Sequence, residues 1–100
     1  MADQPQVNFR MDVADDLRGG VYANFLSIWH TSHEFTLDFA STELIENHEE
    51  GVVVPARVTA RVKIPPTLVF DLLRVLNENM TRYEKTYGEI HRPGERGTPE

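Results

Sequence analysis

One hundred residues, 40% of them apolar, carry a formal net charge of −6 and include no cysteine. That is the size of one domain with a modest core, and it excludes disulfides, thiolate catalysis, zinc ribbons and thiol redox motifs. The acidic balance argues against nonspecific nucleic-acid or anionic-membrane binding, and no apolar run is long enough to span a bilayer.

The opening, Met1-Ala2-Asp3-Gln4-Pro5, lacks the basic start and apolar stretch of a secretory signal, so a cytoplasmic location is expected. Residues 1–6 read as a flexible N-terminus, 7–90 as a single domain, and the Pro- and Gly-rich 91–100 as a flexible tail. The domain reads as α+β: a four-stranded antiparallel meander followed by one long C-terminal helix packed on one sheet face.

Val7 to Met11 alternates weakly and is the candidate first strand; Asp15, Asp16, Gly19 and Gly20 mark the turn after it. Val21 to His30 and Glu34 to Ala40 are aromatic and β-branched enough to be the next two strands. Ser41 to Gly51 is a long acidic connection, with a helical turn expected at Thr42 to Asn47. Val52 to Ile64 is the clearest strand, because Val58, Ala60, Val62 and Ile64 alternate with Arg57, Thr59, Arg61 and Lys63. Pro65-Pro66 ends it, with the second proline suited to a first helical position. The helix is expected to run to Tyr87, with Gly88 as its stop.

Val69, Leu73, Leu76, Met80, Tyr83 and Tyr87 form a regular apolar stripe on that helix. Leu68, Leu72 and Val75 form a second, and Phe70 leaves the first two turns apolar almost all round. One sheet face cannot cover all of this. Burial under the sheet and loops is one explanation; an interface with another subunit through Leu68, Leu72 and Val75 is the other.

The stretch "NFLSIWHTSHEFTLDF", residues 24–39, first suggests a ligand cluster around His30 and His33. A two-residue loop, Thr31-Ser32, is poor chemistry for a tight hairpin, which favours Gly or Asn at positive φ. A four-residue loop, Thr31 to Glu34, is easier. Both give the same facing, with Leu26, Ile28, Phe35, Leu37 and Phe39 inward. If the last strand lies next to this hairpin, Val58, Ala60, Val62 and Ile64 complete the inner face. The outer face then carries Phe25, Ser27 and Trp29 beside Glu34, Thr36 and Asp38, and beside Arg57, Arg61 and Lys63. Acids of one strand next to bases of its neighbour are the expected cross-strand arrangement, so the basic stripe needs no ligand to explain it.

A metal site needs three or four converging ligands; His30 and His33 sit at a turn that Glu34 could join, and His48 and His91 lie in connections whose position the sequence does not give. No serine has a nucleophile-elbow setting, and Gly19-Gly20 is too short for a phosphate loop. No catalytic residue, metal ligand or cofactor is therefore assigned, and the protein is not expected to be an enzyme.

At "GGVYANFLSIWHTSHEFTLDFA" followed by "VTARVKIPPTLVFDLLRVLNENMTRYEKTYGEI", the chain resembles a family of short bacterial and archaeal proteins of unknown function. Its members run from a "YANF…H…EF.LDF" hairpin through a strand to a helix started by proline. The resemblance covers about residues 20–90 and brings no catalytic residues. The order of elements also looks like the protein-export chaperone SecB, an analogy of topology that does not by itself give function.

These readings lead to a non-enzymatic, homo-oligomeric protein-binding module, a dimer or tetramer and chaperone-like in type. Phe25 and Trp29 on the sheet and Leu68, Leu72 and Val75 on the helix supply its surplus apolar surface. The alternative is single-stranded nucleic acid stacking on Phe25 and Trp29 beside Arg57, Arg61 and Lys63, which the acids in that face and the net charge disfavour.

Overall fold

The computed structural model describes residues 6–43 and 53–92. Three strands, β1 (Phe25–His30), β2 (Phe35–Thr42) and β3 (Ala56–Ile64), form one antiparallel sheet in the order β1-β2-β3. A single helix, α1 (Leu68–Tyr87), follows, and a short 3-10 turn at Asp15–Leu17 precedes the sheet. The class is α+β, with three strands rather than four.

The missing strand is the expected one at Val7 to Met11. Residues 6–14 join no ladder, and Val7, Phe9, Met11 and Val13 are all more than half exposed. Alternation gives a segment a sheet-like apolar face, but a strand also needs a neighbour for its backbone groups. None is present here among the described residues. The helical turn expected at Thr42 to Asn47 lies mostly outside the described residues, although Ser41 and Thr42 extend β2.

The hairpin closes through the four-residue loop. His30 pairs with Phe35, Ile28 with Leu37 and Leu26 with Phe39. Thr31 N–H donates to the Glu34 carbonyl at 2.9 Å, and Thr31 Oγ1 accepts from the backbone N–H groups of His33 and Glu34. A hydroxyl that satisfies two loop donors makes Thr31-Ser32-His33-Glu34 workable without glycine.

At the other end of the sheet the register shifts between Phe39 and Ala40. Phe39 opposes Ala60 but Ala40 opposes Val58, so Thr59 is the extra residue of a β-bulge. Every residue of β3 before the bulge therefore changes face. Ala60, Val62 and Ile64 stay inward, whereas Val58 turns outward and Arg57, opposite Ser41, turns inward. The strict alternation of β3 had placed both the other way, because period two alone cannot reveal an extra residue.

The helix begins at Leu68, after a turn in which Leu68 N–H bonds the Pro65 carbonyl and Val69 N–H that of Pro66. It ends as expected at Gly88, whose φ of +100° suits glycine and whose N–H caps the Glu84 carbonyl at 2.9 Å. None of its residues is buried. The buried apolar side chains are Leu37, Ala40 and Ile64 alone among the described residues.

Candidate functional site

The inner face of the sheet and the first half of α1 enclose a wholly apolar groove of about 350 Å³. Its floor is Leu26, Ile28, Phe35, Leu37, Phe39 and Ile64, which strand parity gathers on one side. Its roof is Val69, Leu72, Leu73 and Leu76, spaced three, one and three along the helix. Leu73 and Leu76 remain 62% and 60% exposed. The helix thus overhangs the sheet without closing on it. Met80, Tyr83 and Tyr87 continue the same helical stripe past the groove, and the two tyrosine rings meet at 4.9 Å.

The residues expected at an oligomer contact divide. Leu72 faces into the groove, while Leu68 and Val75, each 43% exposed, lie on the flank of the helix. The roof is therefore a mixture of both stripes. Sequence spacing assigned Val69, Leu73 and Leu76 to an ordinary core and so missed that they line an open groove.

The outer face is polar and tied together by charge. Arg61 grips Asp38 across the ladder, Nε to Oδ1 at 2.6 Å and Nη2 to Oδ2 at 3.0 Å. The indole N–H of Trp29 reaches the same carboxylate at 3.4 Å, and the Arg61 guanidinium lies 5.8 Å from the Trp29 ring centroid. The Arg61 hydrogen bonds, helped by Trp29, hold the Asp38 carboxyl below the usual aspartate value despite its burial. The partner guanidinium is raised in turn. Lys63 pairs with Glu34 at 3.3 Å. Beneath these, Thr36 is fully buried and its hydroxyl makes no hydrogen bond. Trp29 thus has a structural role on the face to which hairpin parity assigned it.

Of the residues proposed for an outer binding surface, Phe25, Trp29, Arg61 and Lys63 share that face, Phe25 at its far end opposite Ala40. Arg57 does not, because the bulge turns it to the other side. It borders instead a hollow with Ser41, Thr42, Glu43, Pro55 and Ala56.

Asn24, which sequence reasoning passed over, fastens the start of β1. Its side chain accepts from Thr42 N–H at 2.9 Å and donates to the Thr42 carbonyl at 3.1 Å. Just before it the Tyr22 carbonyl accepts from Thr59 Oγ1 at 3.4 Å. The chain therefore crosses the end of the sheet from the β3 side before it enters β1. At the hairpin tip His30 stacks on Phe35 at 5.2 Å and His33 meets Ser32. No three His, Cys, Asp or Glu side chains converge among the described residues, and no described helix is long and apolar enough to cross a membrane.

A family model described as a protein of unknown function, DUF3467, matches residues 1–92. The chain belongs to that family. No curated protein and no solved structure matches it. For this DUF3467 chain, then, the groove and the charge-locked face are the two surfaces on which a functional reading can rest.

Proposed function

We propose that the chain is a non-enzymatic, oligomeric protein-binding module, chaperone-like in that it offers apolar surface to segments of other polypeptides. The groove between the sheet and α1 carries this reading. It is lined by ten apolar side chains and no polar one. Concave, largely apolar pockets are where ligands bind, and an apolar strip between a sheet and a helix accepts the apolar side chains of a partner segment. Exposed apolar surface this extensive is rare on proteins that act alone.

The nucleic-acid alternative draws less support. Arg61 and Lys63 already face Asp38 and Glu34, and Arg57 lies on the opposite side of the sheet. Phosphate contacts would have to compete with those carboxylates.

A permanently unfolded polypeptide, reduced and carboxymethylated α-lactalbumin, is the appropriate probe. The expected result is saturable binding by the wild-type chain and its loss in Leu76→Asp, with far-UV circular dichroism unchanged. No binding by the wild type, or equal binding by the variant, overturns the reading. Affinity for a short single-stranded oligonucleotide at low salt, falling steeply as salt rises, would favour the alternative.

A further inference from the structure

We infer that the N-terminal segment, residues 7–13, is a strand exchanged between two copies of this chain, each copy's segment adding to the free β1 edge of the other. The inference rests on the oligomeric reading above and specifies how the assembly forms. Its first support is the segment itself. Val7, Phe9, Met11 and Val13 alternate with Asn8, Arg10 and Asp12, a two-residue period over seven positions. The apolar members are 53–88% exposed and the segment joins no ladder. A sequence patterned for a half-buried strand is thus left unburied among the described residues of its own chain.

The second support is the edge. Sheets protect exposed edges with charged residues or proline, because unpaired backbone groups invite another strand. β3, at one edge, carries Arg57, Arg61 and Lys63. β1, at the other, reads Phe-Leu-Ser-Ile-Trp-His, has no Lys, Arg, Asp, Glu or Pro, and is exposed throughout. At six residues it also matches the seven-residue segment in length.

The third support separates a second copy from the chain's own sheet. The Tyr22 carbonyl lies 3.4 Å from Thr59 Oγ1 of β3, and the Asn24–Thr42 bonds then fasten the chain to the end of β2, so it reaches β1 from the β3 side. Its own β1 edge lies on the far side of β2, whereas that of a second copy is open to it. Gly20, at φ +69°, supplies a bend between segment and sheet.

Reciprocal exchange of one element is a direct route to a dimer. Seated beside β1, the apolar side of the segment would continue the Leu26–Ile28 row. It would widen the groove floor under α1 and leave the groove open to a client.

The absence of cysteine makes the test direct. Ser27 lies on the outer side of β1, the side on which Asn8, Arg10 and Asp12 would fall. Copies carrying Asn8→Cys, Arg10→Cys or Asp12→Cys are each refolded with a Ser27→Cys copy and oxidised. The expected result is a two-chain disulfide species in at least one mixture, a two-chain native mass by light scattering, and slowed amide exchange at residues 7–13 in the unmodified protein. A strictly monomeric protein overturns both this inference and the oligomeric reading. An oligomer with fast exchange at 7–13 overturns the strand exchange alone. So does an Arg10→Cys/Ser27→Cys double variant that closes its disulfide within one chain.

Discussion

Arg61 holds Asp38 by both of its nearer nitrogens, and Trp29 closes the third side of that carboxylate. Two-point guanidinium–carboxylate contact is the strong form of the ion pair, and here it ties β3 to β2 at the middle of the sheet. Asp38 is held below the ordinary aspartate value of 3.8. Its contribution is therefore complete above that value and is lost as pH falls through the depressed one. Acid titration followed by the fluorescence of the lone tryptophan, Trp29, is expected to show a transition below about pH 4. In Asp38→Asn that transition should vanish and the thermal midpoint at neutral pH should fall. An unchanged titration in the variant would place the acid lability elsewhere.

Asn24 makes two hydrogen bonds to the Thr42 backbone from a position with no apolar role. Asn24→Ala removes both partners of Thr42 at once. Such a loss is worth about 1 kcal/mol, a fall of roughly 4–8 °C in melting temperature for a domain of this size. Differential scanning calorimetry measures it. Asn24→Asp should recover part of the loss, since it keeps the acceptor for Thr42 N–H.

Leu73 provides a quantitative measure of whether the groove roof is covered. At 62% exposure in the single chain, Leu73→Ala should change stability by no more than about 0.5 kcal/mol. If assembly or a bound segment covers the roof, the cost rises to about 2–5 kcal/mol. Urea unfolding at two protein concentrations separates the cases, because only assembly makes the midpoint depend on concentration.

Gly88 holds a backbone conformation that L residues avoid, with φ +100° and ψ 173°. A Cβ there would meet no atom within 4 Å, so the cost of Gly88→Ala is conformational rather than steric. About 1–3 kcal/mol is expected, appearing as faster amide exchange over the last helical turn, Glu84 to Tyr87, with the sheet unaffected.

The parts of the fold written in local patterns were legible from the chain. The hairpin followed from the coherent apolar parity of Leu26, Ile28, Leu37 and Phe39, and the helix stop from Gly88. That Glu34 and Asp38 share a face with Arg61 and Lys63 followed from strand parity, while which acid meets which base came from the register. Two kinds of information were not local. The bulge at Thr59 leaves no mark in an alternating sequence, so Arg57 and Val58 were placed on the wrong faces. The segment at Val7 to Met11 has a strand's pattern, but pairing depends on a neighbour that the pattern does not name. The groove was hidden for a related reason. Leu73 and Leu76 have the spacing of a core stripe, and spacing cannot say how far a helix stands from its sheet.

The extra residue at Thr59 acts on β3 as a frameshift acts on a reading frame. Upstream and downstream of it, the same odd–even rule assigns side chains to opposite sides. Deleting Thr59 would leave Val58 opposite Ala40 and Arg57 opposite Ser41 in an uninterrupted ladder, so both would keep their present faces. What separates this two-faced sheet from one whose basic stripe runs unbroken from Arg57 to Lys63 is that Thr59 is looped out of the ladder instead of paired in it.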